Sequence, residues 1–161
     1  MKGKSNGAGS PMRILALDLG STTGWAISGS PPLTGRWEVR AGNGESPGMR
    51  LIRFRADLNR ILEAYPDLKL LVVEKVHVRY ATAALSLGEL VGRVKEWAAE
   101  KGIELTWVPA STVKKFATGR GQADKAAMMA AATAKGWFYH GDDNEADARW
   151  LLEYAEQEIV G

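Results

Sequence analysis

Cysteine is absent from the 161 residues of this chain. Disulfides and thiolate metal sites are therefore excluded, and the composition suits a reducing compartment. Histidine is scarce as well: His77 and His140 are the only two, so no histidine cluster competes for a metal. No apolar run approaches the length of a membrane span, and no secretory signal is evident; no membrane association is expected. Charge of one sign is also lacking. The formal net charge is +2, which does not announce a nucleic-acid binder, so any such argument must rest on local charge.

What is present is an ordinary globular composition, 45% hydrophobic and 25% charged, in a chain long enough for one domain with a real core. Residues Met1–Pro11 hold Gly, Ser, Lys and Asn with almost nothing to bury, and are expected to be a disordered lead or a cloning remnant, with Met12 an alternative start. The single folded domain is expected over 12–161.

Hydrophobic patterning and turn residues place strands at Arg13–Leu19, about Gly24–Ser28, Leu33–Val39, Lys69–Glu74 and Ile103–Val108. Helices are expected over Gly48–Tyr65, Ala81–Glu100, Pro109–Phe116, Ala123–Lys135 and Asn144–Glu158. On the first helix Leu51, Phe54, Leu58, Ile61 and Tyr65 fall on one face, and Arg50, Arg53 and Arg60 on the other. A three-strand antiparallel meander followed by alternating helices and strands describes an α/β fold, a mixed five-stranded sheet flanked by helices.

Two of these strands end on acids. Ile14–Leu17 is apolar without a break and is followed by Asp18; Leu70–Val73 is followed by Glu74. A carboxylate in such a position is costly to bury unless it is paired or holds a cation. Asp18 could also cap the turn formed with Gly20 and Gly24, glycines that let a backbone or a phosphate come close. Glu74 could pair with Lys75 or Arg79. The last helix opens on Asp142-Asp143-Asn144-Glu145-Ala146-Asp147. Asp142 or Asp143 suits an N-cap, with Glu145 completing a capping box. Asp147 lies a turn further on, between two alanines, and shares a helix face with Asp143 or with Asn144. Gathered carboxylates raise one another's pKa, and a hard divalent cation relieves the repulsion. Oxygen-only ligands select Mg²⁺ or Mn²⁺, and a pair of such ions suits phosphodiester hydrolysis.

A second dense segment runs from Pro109 to Lys125. It carries Lys114, Lys115, Arg120 and Lys125 against one acid, Asp124. Its Gly-Arg-Gly turn and the helix start after it are expected to expose backbone N–H groups, a cradle for phosphates. A solvated charge cluster is the plainer alternative.

Taken in order, Asp18-Leu19-Gly20-Ser21-Thr22-Thr23-Gly24-Trp25, Leu71–His77, Ala83-Ala84-Leu85-Ser86-Leu87-Gly88, Val113-Lys114 with Gly119–Lys125, and Asn144-Glu145-Ala146-Asp147-Ala148 resemble the motifs of RuvC-type Holliday junction resolvases. These are nucleases of the ribonuclease-H-like superfamily, and the resemblance spans about Met12 to Tyr154. It implies a ribonuclease-H-like sheet and a Mg²⁺-dependent endodeoxyribonuclease that resolves four-way DNA junctions by two-metal-ion hydrolysis with symmetric nicks. It also implies a homodimer and a cytoplasmic setting in a bacterial or phage-infected cell, the short chain suggesting a phage-type member. Carried over residue by residue, Asp18, Glu74 and Asp147 would hold two Mg²⁺ ions (Mn²⁺ as an alternative). The partner three residues before Asp147 departs from the family's Asp or His. Asn144 stands there, and Asn144 or Asp143 would complete the site. Lys114 and Lys125 match basic residues near the scissile phosphate, with Lys125 among the catalytic set. His77, with Tyr80 nearby, occupies the place of an aromatic that stacks on unpaired bases. The rival readings are a related nuclease acting on flaps or RNA–DNA hybrids, an actin- or sugar-kinase-like ATP-binding domain, and a silent junction-binding module.

Overall fold

The computed structural model describes residues 11–75, 78–139 and 142–161. The expectation for Met1–Pro11 lies, Pro11 apart, outside them, as does that for His77.

Strand β1 (Arg13–Asp18) is the centre of the molecule. It pairs antiparallel with β2 (Thr22–Ile27), which pairs antiparallel with β3 (Leu33–Glu38). On its other side β1 runs parallel to β4 (Leu68–Lys75), and β4 parallel to β5 (Glu104–Pro109), giving the order β3-β2-β1-β4-β5. The parallel strands need crossover helices. These are α1 (Met49–Ala64), which leads from β3 into β4, and α2 (Ala81–Lys101), between β4 and β5. Helices α3 (Ala110–Thr118), α4 (Lys125–Ala134) and α5 (Asp143–Tyr154) follow, and a π-helical turn, Ala155–Ile159, prolongs α5.

Alternation along the strands divides the core in two. Leu15, Leu17, Leu71 and Val73 face α1 and α2, packing with Phe54, Leu58, Val94 and Trp97. Ile14, Ala16, Leu70 and Val72 face the other layer, with Val113, Met128, Leu151 and Leu152. Asp18 and Glu74 continue the second series, so both carboxylates emerge on the α5 side of the sheet. The uninterrupted apolar runs of β1 and β4 are explained by this burial on both faces.

One expectation on α1 is corrected. Arg50 is buried rather than on the exposed face. It sits in the first turn, where its long side chain reaches across to α2, pairing with Glu89 and donating to the Ser86 carbonyl at 3.1 Å. A charged head group satisfied in this way can be buried together with its aliphatic stem.

Candidate carboxylate site and its basic flank

Adjacent parallel strands bring Asp18 and Glu74 side by side. Leu17 is in register with Val73, and the acids are the next residues on each strand. Their carboxyl groups are close enough to shift each other's pKa. Burial, aided by Glu74, Asp147 and Asp143, pushes Asp18 well above the usual carboxylate range. Glu74 is also raised by burial, against the opposing effects of the Asp18 hydrogen bond and the Lys114 charge.

Asp147 comes to these two from α5, and the way α5 is seated explains how. At Gly24, opposite Asp18 in the β1–β2 register, an added Cβ would lie 2.0 Å from the Asn144 carbonyl oxygen. Only a bare backbone lets the start of α5 lie on β2. Four polar contacts then hold that end of the helix. Asp142 is the N-cap, accepting from the Asn144 and Glu145 N–H groups at 3.0 and 3.3 Å, and it also pairs with Arg36 of β3 at 3.0 Å. Glu145 does not close a capping box; its carboxylate accepts from the Thr34 hydroxyl of β3 at 2.8 Å. The strand thus competes successfully for a side chain that local sequence assigns to the helix end. Thr23, fully buried, closes the β1–β2 turn by donating to the Gly20 carbonyl at 2.9 Å. Among these positioning residues Arg36 and Thr34 escaped the sequence reading, because their partners lie on another element, while Thr23 was read as part of the Asp18–Trp25 motif without its turn-closing bond.

So placed, the Asp147 carboxyl is pushed up to about 7, first by burial, then by Glu74 and Asp143, while Lys125 and Lys114 oppose the shift. Asp143, in the first turn of α5, pairs with Lys125 at 2.9 Å. Its charge acts on both Asp18 and Asp147. Asn144 contributes its backbone to the contact with Gly24.

Lys114 on α3 acts electrostatically on Glu74 and Asp147. Lys125, the first residue of α4, has an exposed side chain directed at the acids. Its ammonium is held more basic than usual, chiefly by the Asp143 hydrogen bond. Lys115 and Arg120 are exposed on the same segment, and Tyr80 is exposed at the start of α2. The expected cradle of free N–H groups is largely spent internally. Gly119 N–H donates to the Lys115 carbonyl, Arg120 N–H to the Thr118 hydroxyl and Ala123 N–H to the Arg120 carbonyl; Ala127 N–H donates to the capping Asp124 carboxylate. What this segment offers a phosphate is its cationic side chains.

The donor set fits a hard divalent cation: buried carboxylate oxygens, short of counter-charge and kept partly protonated. Among the described residues no three His, Asp or Glu side chains stand in a ready-made coordination cage.

A mixed sheet with this strand order, helices on both faces and acids at the ends of its first and fourth strands is a ribonuclease-H-like nuclease fold. The chain belongs to the family described as crossover junction endodeoxyribonuclease RuvC, whose model matches residues 38–134. That makes it a nuclease of a family that depends on divalent metal. Two solved structures share the fold at 20% sequence identity. One is Thermus thermophilus RuvC in complex with a Holliday junction substrate, with a TM-score of 0.71, covering 87% of this chain and 90% of that one. The other is a Thermus thermophilus RuvC structure, with a TM-score of 0.69, covering 90% and 94%. No curated protein sequence matches the chain. Among the described residues no helix is long and apolar enough to cross a membrane.

Proposed function

We propose that the protein resolves four-way DNA junctions as a homodimer, each protomer cutting one strand by Mg²⁺-dependent hydrolysis so that the nicks are symmetric. The observation that carries this reading is the convergence of Asp18, Glu74 and Asp147, from two strand ends and a helix, at a place where burial and mutual repulsion leave them short of positive charge. In this reading the three acids hold two divalent ions, with Asp143 as the fourth ligand. Asp143 is favoured over Asn144 because its charge already acts on Asp18 and Asp147, whereas the Asn144 side chain is neutral.

When bound, the ions would lower the pKa of an attacking water and neutralise charge building on the phosphodiester. The chain's own residues do the positioning. Lys114 and Lys125 hold the phosphate beside the acids, and Lys125 balances Asp143 until the substrate arrives. Lys115 and Arg120 extend the track for the DNA backbone, a sequence-independent and salt-dependent contact. Tyr80, exposed at the start of α2, offers a flat surface to unpaired bases at the crossover. Two copies are required because one set of carboxylates cuts one strand, and a two-fold junction is matched by a two-fold protein.

The test is cleavage of a synthetic four-way junction in Mg²⁺, wild type beside Asp18→Asn, with flap, RNA–DNA hybrid and plain duplex in parallel. Paired nicks leaving 5′-phosphates on the junction, absent with Asp18→Asn, are expected. Retained cutting by the variant, or preference for the hybrid or flap, would overturn the assignment.

A further inference from the structure

A pocket of about 380 Å³ opens beside Glu74, lined by Leu19, Leu87, Val91 and Trp107 together with Glu74, Lys75 and Lys95. Its position follows from strand alternation. Leu19 and Lys75 are the chain neighbours of Asp18 and Glu74, so each turns to the α2 face where its acidic neighbour turns to the α5 face. The volume lies within the range of ligand pockets, roughly 300–1,000 Å³. Trp107 is only partly buried, its ring forms one wall, and the Lys95 ammonium lies 5.9 Å from the ring centroid.

The pocket shares Glu74 with the carboxylate site, but its other lining residues take no part in the carboxylate chemistry or in the lysine flank of α3 and α4. Its chemistry is that of a nucleobase site: an indole face for stacking, aliphatic walls, and two lysines beside the mouth to suit the phosphates on either side. A base hangs one sugar away from its phosphate. A strand whose phosphate lies at Glu74 therefore brings an adjoining base to the other side of the same edge. We propose that this pocket receives the base next to the scissile phosphate, stacked on Trp107, and so registers the strand on the carboxylates. The proposal rests on the nuclease reading above and deepens it. Trp107 is a positioning and specificity residue in this scheme, because it touches the base and not the reacting atoms.

The experiment removes the base and the indole separately and together. Wild-type cleavage in Mg²⁺ first locates the scissile phosphate. Junctions carrying an abasic tetrahydrofuran residue on either side of it are then titrated with protein in an Asp147→Asn background, so that affinity is read without turnover. With Trp107 present, loss of the base on one side should weaken binding about tenfold, the size of a lost base–aromatic stack. With Trp107→Leu the intact junction should bind that much more weakly, and loss of the same base should change nothing further; Trp107→Phe should restore the sensitivity. Val91→Phe, which fills the pocket from α2 without touching the indole, should mimic Trp107→Leu and guards against a folding defect in the latter. An abasic penalty of equal size with and without Trp107 overturns the pocket while leaving the nuclease reading intact. Conversion of a dimer to a monomer by Trp107→Leu overturns it too, by showing that a second copy fills the space. No junction cleavage by the wild type at all overturns both.

Discussion

The acids between α1 and α2 and the acids at the ends of β1 and β4 are the same residue types in opposite circumstances. In the helix layer the three glutamates of α2 that face α1 or its flank, Glu89, Glu96 and Glu100, each have an arginine. Arg55 bridges to Glu96 at 3.7 Å and pairs with Glu100, Arg93 meets Glu96 at 3.5 Å, and Arg50 pairs with Glu89. The Glu100 carboxyl is lowered, first by its hydrogen bond from Arg55. At the sheet edge Asp18 is raised, first by burial, and four acids face two lysines there. The carboxylates of the helix layer are exposed and paired. On the proposed reading, those left buried and short of counter-charge would suit a ligand that brings its own positive charge. Clustered perturbed acids of this kind are a mark of a functional site.

The comparison can be broken most sharply at Asp18. Asp18→Asn should abolish junction cleavage while leaving junction binding largely intact, and should raise the metal-free unfolding free energy by about 1–3 kcal/mol, because a poorly compensated buried acid is removed. Cleavage and chemical denaturation in EDTA check the two halves; a destabilised variant would mean that Asp18 is structural. Gly24→Ala comes next. Its Cβ has no room against the Asn144 carbonyl, so it should cost about 1–3 kcal/mol and lower cleavage by displacing Asp147. Thermal unfolding and a single-turnover rate would show both.

A pH series sharpens the contrast. The Asp147 carboxyl is at about 7 in the folded chain, against an ordinary 3.8. The folded state therefore keeps a proton that the unfolded state releases between those values. The stability this contributes is full below about pH 4 and is lost as pH rises through 7. Without metal, Asp147→Asn should match the wild type near pH 4 and exceed it by roughly 2–4 kcal/mol at pH 8. A constant difference across the range would remove Asp147 from the strained cluster.

Smaller effects are expected at the basic flank and in the helix layer. Lys114→Ala should weaken junction binding and reduce the salt slope by about one, measured by titration at several ionic strengths. Glu100→Gln should leave melting temperature and cleavage near wild type, as expected of an exposed pair. A cleavage defect there would show that the helix-layer acids are not merely structural.

The strands, the helices and the three central acids were legible in the sequence, because each leaves a local trace. Ile14–Leu17 and Leu70–Val73 are runs that only a doubly covered strand explains, and an acid directly after such a run is conspicuous. The fate of Arg50 and the diversion of Glu145 to Thr34 were not legible, since helical periodicity and capping rules know nothing of a partner on another element. Gly24 was recognised as a place of close approach, but that the approaching group is the backbone of Asn144 is a fact about a residue 120 positions away.

The sequence by itself pointed to the candidate acids and lysines and to the elements they stand on. The tertiary structure alone decided that Asp18, Glu74 and Asp147 lie close enough for burial and charge to raise their pKa values, that Asp143 faces Lys125, and that Trp107 lines a pocket beside Glu74. The reason is physical. Patterning is a property of neighbours along the chain, whereas a pKa, an ion pair or a pocket depends on charges and surfaces that only strand register and helix docking bring together.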